Sequence, residues 1–248
     1  MISVCIATHN GEKYIKEQLD SILCQLSTED EVVISDDGST DSTLEILSDY
    51  NDPRIKVYQY KQPYKSRHPH SYVCKNFENA LKQANGDFIF LADQDDYWMP
   101  NKVSICLDRL NDYTLVVHRA EFCNSKLIPS GKLMYKEEFV FKNYLSLKTG
   151  KYYGCTLAFR KELAKAILPF PKHLVIHDHW IGCMAELTGN VYYEKTPLIR
   201  YRIHGENTSG GTTKNSLIFQ IHYRVYMFLH MMARFLKCNC SVNRNEGS

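Results

Sequence analysis

The sequence predicts an α/β domain whose mainly parallel central sheet is flanked by helices, with an amphipathic helix at its C-terminal end. Short apolar runs of the kind that form buried strands alternate with segments of helical period through the first half of the chain. Apolar residues make up 44% of the 248, which is enough for a full hydrophobic core. The β-α-β order implies right-handed crossovers between parallel strands.

Four strands are predicted in the first half. They cover Ile2–Thr8, Glu31–Ser35, Ile55–Tyr60 and Phe88–Ala92. Helices are predicted between and after them, over Glu12–Leu26, from Ser42, over Cys74–Ala84 and from Pro100. The stretch STLE at 42–45 has the spacing of a capping box. Ligands of such sheets bind outside the carboxyl ends of the strands, so THNGE, DDGST and DQDD should converge on one crevice.

The second half has a less regular pattern. Short strands are predicted at Leu115–His118, Cys155–Phe159, Val191–Tyr193 and Leu198–Arg202. Helices are predicted over Arg160–Leu168 and Asp178–Leu187. Residues 205–215, rich in Gly, Ser and Thr, predict a mobile loop.

The bulk composition excludes several classes of protein. A formal net charge of +2 gives no strong basic field, so we expect no nucleic-acid partner. Nine scattered cysteines without a CxxC pair favour a reducing compartment over a zinc site. The N-terminus lacks the pattern of a signal peptide, and no apolar run reaches the length of a membrane-spanning helix. These observations predict a cytoplasmic protein.

Three carboxylates, those of Asp93, Asp95 and Asp96, stand at the end of the fourth predicted strand. Like charges this close disfavour one another's ionisation unless a cation neutralises them. Residues two apart in an extended segment face the same way, so Asp93 and Asp95 would share the crevice. Paired hard oxygens suit Mg²⁺ or Mn²⁺ bound together with substrate phosphates. The alternative is a solvated acidic turn that caps the next helix.

Polar residues follow the first and second strands as well. Asp36 and Asp37 add two more carboxylates, one of which can accept a hydrogen bond from a nucleobase or a ribose hydroxyl, and an ordinary Asp-Gly turn with a helix cap is the alternative. His9 and Asn10 could contact a base face, and the alternative is that they cap the following helix.

Taken together and in order, the motifs resemble those of an inverting glycosyltransferase of family 2. The stretches are SVCIATHNGEKYIKEQLDSILCQ, VVISDDGSTDST, NGDFIFLADQDDYWMPNK, GCTLAFRKEL, the HDHW run and YRIHGENTSG. The similarity covers roughly residues 2–210 and is nearest to the rhamnosyltransferase-like bacterial enzymes that build surface polysaccharides. It implies the Rossmann-like GT-A fold, with a nucleotide-sugar-binding half over 1–110, an acceptor-binding half over 111–213 and a C-terminal helix and tail over 214–248.

The resemblance also implies a role for individual residues. Asp178 matches the catalytic base. Asp93 and Asp95 match the DxD pair, with Asp95 as the direct ligand of Mg²⁺ or Mn²⁺ and His204 as a second contact to the metal or the diphosphate. The implied nucleoside-binding residues are Ala7, His9, Glu12, Asp37 and Asp93. Weaker matches, to phosphate or acceptor contacts, are Arg202, Trp180, Asp96 and Trp98.

Some positions near these motifs remain open. Arg119 stands where the family usually has an acidic residue, so it could bind phosphate, bind an anionic acceptor or be solvated, and it puts the donor sugar in doubt. His177 and His179 flank Asp178. They could bind a metal as a pair, but the preferred interpretation is that they are acceptor-site or structural residues. Trp180 could stack on a sugar face, with core packing as the alternative.

The segment SLIFQIHYRVYMFLHMMARFLK predicts an amphipathic helix. Its apolar residues recur at helical spacing, and they are Ile218, Ile221, Val225, Phe228, Leu229, Met232 and Phe235. Such a basic helix can rest on an anionic membrane surface. The alternative is a helix docked on the catalytic domain or on a second subunit of a homodimer.

The predicted activity is transfer of a sugar from a UDP- or dTDP-linked donor to a hydroxyl of a saccharide acceptor, in surface polysaccharide synthesis. A lipid-linked acceptor would place the enzyme at the inner face of the cell membrane, in peripheral contact with it. Two alternative functions remain. One is a nucleotidyltransferase, although THNGEKY is a poor match to the phosphate-binding loop of such enzymes. The other is a non-catalytic relative that binds nucleotide or glycan.

Overall fold

The computed structural model describes residues 1–62, 70–135, 152–205 and 217–245. Within these ranges the chain forms nine strands and seven helices. The strands are β1 (Ile2–Thr8), β2 (Glu31–Asp36), β3 (Ile55–Gln59), β4 (Phe88–Asp93), β5 (Tyr97–Trp98), β6 (Leu115–Cys123), β7 (Pro129–Leu133), β8 (Leu157–Arg160) and β9 (Val191–Arg202). The helices are α1 (Ile15–Leu23), α2 (Thr43–Asp49), α3 (His70–Gln83), α4 (Lys102–Leu110), α5 (Lys161–Ile167), α6 (His177–Thr188) and α7 (Leu217–Asn245).

All nine strands belong to one sheet, in the order β3-β2-β1-β4-β8-β6-β9-β5, with β7 paired to β6. The first-half strands β3, β2, β1 and β4 are parallel to one another, as their apolar runs predict. In the second half β8 runs antiparallel to both β4 and β6, and β6 and β9 are parallel. The predicted α/β class is confirmed, and its parallel character lies mainly in the first half.

The strands of the second half are longer than their apolar runs indicate. The two short strands expected at 191–193 and 198–202 are one strand, because β6 pairs with β9 along its whole length. That pairing shifts register on both sides of Arg119, where β9 contains extra residues opposite β6. The strand β7 was missed because its residues are mostly exposed and show no apolar alternation. Before β8, residues Gly154–Thr156 form a 3-10 turn where the start of a strand was predicted.

Several predicted helix boundaries were wrong for local reasons. The helix expected from Glu12 begins at Ile15, because the Glu12 carboxylate accepts a hydrogen bond from the backbone of Ser42. The capping box at Ser42 does not form: that side chain makes no capping bond, and Asp41 accepts from the Thr43 amide at 3.0 Å instead. Helix α3 begins earlier than predicted, and α4 begins two residues after Pro100.

The core lies on both faces of the sheet, because successive strand residues point to opposite sides. One cluster contains Cys5, Val33 and Phe77 under α3, α5 and α6. The other contains Ile6 and Leu19 under α1, α2 and α4. Each fully buried large apolar side chain contributes about 1.5–3 kcal/mol, so this packing fixes the strand ends relative to one another.

Helix α7 docks on the domain through a face other than the predicted stripe. Tyr223, Met227 and Met231 are buried against the core, and Arg234 donates to the Pro169 carbonyl at 2.8 Å. The outer face carries apolar side chains with 38–62% of their surface exposed, namely Ile221, Val225, Phe228, Leu229 and Leu236. Among the described helices, α7 included, none combines the length and the hydropathy that crossing a bilayer requires.

Candidate functional site

The ends of three parallel strands are joined by hydrogen bonds. Gln94, after β4, accepts from the His9 amide at 2.9 Å and donates to the His9 carbonyl at 3.2 Å. The His9 ring nitrogen Nδ1 lies 3.0 Å from the Asp37 carbonyl oxygen. The stretches THNGE, DDGST and DQDD therefore lie side by side at one edge of the sheet, as predicted.

Asp37 lies half-buried at the tip of β2. Burial raises the pKa of its carboxyl, and a 2.7 Å hydrogen bond from Gln62 Nε2 opposes that rise. Gln62 was not singled out from the sequence, since a polar residue in a polar loop carries no signal. The neighbouring Glu12 has a carboxylate bonded to the Ser42 amide at 2.9 Å and ties α1 to the loop before α2. Ala7 and His9 lie at the same edge, at the end of β1.

The acidic stretch after β4 is only partly exposed. Asp96 is buried and accepts from the Arg202 amide at 3.0 Å. Burial, together with the charge of Asp95, raises the pKa of Asp93 to about 7. Burial and the charge of Asp93 raise the pKa of Asp96 well above its ordinary value. The repulsion expected from the sequence is therefore present, and it leaves these carboxyls ready to be neutralised by a cation.

A buried lysine supports this acidic stretch from below. Lys102 is fully buried; its Nζ donates to the Cys155 carbonyl at 3.0 Å and lies 4.0 Å from the centre of the Trp98 ring. Burial lowers the pKa of Lys102 to about 8, and its charge in turn lowers the pKa of Asp93. Sequence reasoning missed Lys102, because a lysine in an amphipathic helix normally reaches solvent.

Two arrangements of ligand atoms could receive a metal. Asp95 Oδ2 and His204 Nε2 lie 2.8 Å apart, with 16% and 11% of their side chains exposed. Asp93, Asp96 and Cys155 also place one ligand atom each within 4.8 Å of one another. Burial raises the pKa of the Cys155 thiol well above its usual value, so this second group offers a protonated sulfur. The positive charge of the neighbouring Lys102 ammonium also repels a metal ion at this second group.

The chemistry of the first pair fits a hard divalent cation better. The pair contains a carboxylate oxygen, the type of ligand that Mg²⁺ and Mn²⁺ prefer, with an imidazole nitrogen in contact with it. Asp95 and His204 can therefore hold a metal as the sequence suggested, and that role stays a prediction.

Arg202 has partners on every side of its guanidinium. It donates to the carbonyls of Asp95 at 2.7 Å and Ser125 at 2.6 Å, and it pairs with Glu17 at 2.6 Å. The guanidinium also lies 4.5 Å from the centre of the Tyr14 ring. These contacts make Arg202 the support that holds β9 against the acidic stretch; a direct contact to phosphate stays a prediction.

Asp178 stands in the first turn of α6, partly buried beside the acidic stretch. Its Oδ1 accepts from the His179 amide at 2.7 Å. Burial, and next the charge of Asp93, raises the pKa of Asp178 to about 7. A carboxylate with a pKa near the working pH is suited to accept a proton from a substrate hydroxyl.

The histidines that flank Asp178 point to different neighbours. His177 stacks on Phe77 with ring centres 4.4 Å apart, and burial lowers its pKa to about 3, so it is neutral. The Nε2 atom of His179 lies 3.6 Å from the Cys183 sulfur. Because the two rings point to different neighbours, the geometry favours structural roles over a metal pair, and these roles stay a prediction.

Two tryptophans do not reach the site. Trp180 is fully buried and donates through Nε1 to the Ile167 carbonyl at 3.1 Å, so the proposed stacking on a sugar is wrong and core packing is correct. Trp98 is buried between Phe90 and Lys102, so its ring is not exposed to a ligand. Burial likewise keeps the Asp96 side chain from direct contact with an acceptor.

Comparison with known proteins agrees with this geometry. The family model described as glycosyl transferase family 2 matches residues 3–168. The dTDP-rhamnosyl transferase RfbG of Shigella flexneri is 29% identical over 225 residues, which cover 83% of this chain and 73% of RfbG. Chondroitin synthase of Escherichia coli is 34% identical over 222 residues, covering 84% of this chain and 30% of the synthase.

A solved structure, S. aureus TarS 1-349 in complex with UDP, superposes with a TM-score of 0.65 at 26% identity. The match covers 93% of this chain and 64% of the TarS chain, so the chain spans just under two thirds of the length of that structure. The predicted GT-A fold is confirmed by this likeness.

Proposed function

Because the chain belongs to glycosyl transferase family 2, we propose that it moves a sugar from a nucleotide-diphosphate sugar to a hydroxyl of a saccharide acceptor, with inversion, in surface polysaccharide synthesis. One observation carries the proposal. Asp178, with a pKa of about 7, is partly buried within reach of the charge of Asp93, the last residue of β4.

The donor is proposed to be a UDP- or dTDP-linked sugar. RfbG is described as a dTDP-rhamnosyl transferase, and TarS was solved in complex with UDP. Asp37 would bind the nucleoside at the end of β2, with Ala7, His9 and Glu12 around it. Asp93 would lie between the nucleoside and the diphosphate.

A bound Mg²⁺ or Mn²⁺ would supply positive charge opposite the departing diphosphate. Asp95 and His204 are the residues that would hold it, because their ligand atoms already lie 2.8 Å apart. Arg202 fixes the backbone of Asp95 and so fixes the carboxylate. The positive charge of Lys102 lowers the pKa of Asp93 and so limits the repulsion among the acidic side chains.

Asp178 is proposed as the base of a single in-line displacement. The acceptor oxygen forms a bond to the anomeric carbon while the bond from that carbon to the diphosphate oxygen breaks. The hydroxyl proton passes to Asp178, and the electron pair of the broken bond leaves on the nucleotide diphosphate. Attack opposite the leaving group inverts the anomeric centre.

The acceptor is proposed to be lipid-linked, with α7 resting on the membrane that carries it. The helix contains no Asp or Glu between 217 and 245, while Arg224, Lys237 and Arg244 add positive charge. Its outer apolar face would enter the interface of an anionic bilayer. A second copy of the chain is the other candidate occupant of this face.

Release of nucleotide diphosphate from UDP- and dTDP-sugars, with and without Mn²⁺, tests the proposal. Metal-dependent release that a saccharide mixture accelerates is the expected result. Binding without any release would indicate a non-catalytic module. Formation of pyrophosphate from a nucleoside triphosphate and a sugar phosphate would indicate a nucleotidyltransferase.

A further inference from the structure

Arg119 occupies an unusual position on the acceptor side of the sheet. It lies at the bulge where β6 shifts register against β9, and it is half-buried. Its Nε donates to the Tyr193 hydroxyl at 2.8 Å, and the guanidinium carbon lies 5.7 Å from the centre of the same ring. The tyrosine thus fixes the direction of the guanidinium.

No carboxylate in the described ranges lies within ion-pair distance of Arg119. Arg109 makes a useful contrast, since it too lies over a tyrosine, Tyr192 at 5.0 Å, yet pairs with Asp108 at 3.2 Å and Glu194 at 3.7 Å. A guanidinium offers five donors in a planar fork that matches carboxylates and phosphates. Among the residues that the structure describes, Arg119 therefore has donor capacity that no anion satisfies.

Tyrosines connect Arg119 to Asp178. The Tyr193 hydroxyl donates to the Tyr135 carbonyl at 3.1 Å, and the two ring centres are 6.0 Å apart. The Tyr135 ring is in turn 5.7 Å from that of Tyr153. Burial raises the pKa of both Tyr135 and Tyr153, and the nearby charge of Asp178 raises it further. The arginine and the proposed base thus lie at two ends of one aromatic wall.

We propose that Arg119, oriented by Tyr193, binds an anionic group, a carboxylate or a phosphate, on the saccharide acceptor whose hydroxyl faces Asp178. The inference rests on the proposed function and names the class of acceptor. An acidic acceptor would otherwise be repelled by the carboxylates of Asp93, Asp95 and Asp178. The fork of Arg119 offsets that repulsion at the far end of the sugar, where it does not disturb the base.

Pairs of ligands that differ only in charge test the inference. In the full chain saturated with UDP and Mg²⁺, dissociation constants are measured by NMR titration for nitrophenyl glucuronide against nitrophenyl glucoside, and for glucose 6-phosphate against glucose. One charge-assisted hydrogen bond corresponds to a preference of about tenfold. The first pair tests a carboxylate and the second a phosphate, so the arms distinguish the two sources of charge.

Arg119→Gln should reduce the preference to about one, whereas Arg119→Lys should retain part of it. Tyr193→Phe should weaken it by loosening the guanidinium, and Arg109→Gln, the matched control, should leave it unchanged. An equal preference in Arg119→Gln and the parent, or no preference for either anion in the parent, would overturn the inference. Normal UDP binding in those samples would confine the failure to this subsite, while loss of UDP binding in the parent would count against the proposed function as well.

Discussion

Asp95 and His204, 109 residues apart in the chain, meet across 2.8 Å between a carboxylate oxygen and an imidazole nitrogen. The first follows β4 and the second follows β9, so the contact closes the site between the two halves of the sheet. Arg202 donates from its backbone and its side chain to this acidic stretch and holds the end of β9 in place. A cation bound by both residues would replace the hydrogen bond between them, and the fold already holds the two ligand atoms close together.

Replacing the proposed base should separate chemistry from binding. Asp178→Asn keeps the size of the side chain and removes its ability to take a proton, so transfer should fall about 10²–10⁴-fold. Donor binding should stay within about twofold, because the proposed nucleoside and metal residues lie at strand ends and not on α6, which carries Asp178. Asp49→Asn, exposed at the end of α2, is the matched control. Transfer at the parent rate in Asp178→Asn would refute the assignment.

The pH dependence of kcat/KM should report the same residue. Asp178 acts only when ionised, and its pKa of about 7 predicts a rate that rises with pH through neutrality and levels above it. The pKa of Asp93 is also about 7 in the absence of a metal, and its charge raises the pKa of Asp178, so the two ionisations are coupled. A profile flat from pH 5.5 to 8.5 at constant metal would contradict the prediction.

The same shift has a consequence for stability, with a definite sign. The pKa of Asp178 is raised from 3.8, so the folded state holds this proton more tightly than the unfolded state. The associated stability is present below pH 4 and is lost as the pH rises toward 7. Between pH 5 and 8, the free energy of unfolding measured in urea should therefore be higher for Asp178→Asn than for the parent. The difference is at most about 4 kcal/mol, and solvent screening makes it smaller because Asp178 is only partly buried.

Removing Arg202 should destabilise the fold. The residue is 2% exposed, and Arg202→Met leaves the carbonyls of Asp95 and Ser125 without their donor. Breaking a buried charged contact costs about 3 kcal/mol or more in the free energy of unfolding, measured in urea. Arg109→Met, in which the lost side chain is 42% exposed, should cost less than about 1 kcal/mol. Equal effects of the two substitutions would argue against a supporting role.

The outer face of α7 should govern membrane binding. Co-sedimentation of the full chain with vesicles containing anionic lipid should fall severalfold in Phe228→Ser/Leu229→Ser, because both side chains are exposed and apolar. His222→Ser, on the same exposed helix, serves as the control. If the parent does not pellet but forms dimers that the double variant loses, the occupant is a second copy and the membrane proposal fails.

The sequence predicted the first half of the fold well, because buried parallel strands are continuous apolar runs and their ends carry polar clusters. It also placed the stretches THNGE, DDGST and DQDD at one edge, since strand order and crossover hand leave few alternatives. Those placements needed only local patterns and the general rules of sheet topology, whereas Asp178 was indicated by the family resemblance and not by topology.

Features that depend on tertiary contacts were missed. Strand β7 is exposed and has no periodicity, and β9 is continuous only because β6 pairs with it. Lys102 was not singled out, and Trp180 was left open between sugar stacking and core packing, because residue type does not reveal depth; both side chains are buried. The stripe of α7 was correct as a pattern, yet the helix docks through Tyr223 and Met227, on another face. The structure does not describe the side chain of Ile218 or residues 206–215, so the predicted position of Ile218 in the stripe and most of the predicted loop at 205–215 lie outside it.

Thermal unfolding with nucleotide sugars and Mn²⁺ tests the central claim most directly. A UDP- or dTDP-sugar at about a hundred times its dissociation constant should stabilise the chain by about 2.7 kcal/mol, which raises Tm by about 5 °C or more. The rise should require the metal and should largely disappear in Asp95→Asn. If no nucleotide sugar raises Tm beyond metal alone, or if Asp95→Asn keeps the full metal-dependent rise, the strand ends do not assemble the proposed site.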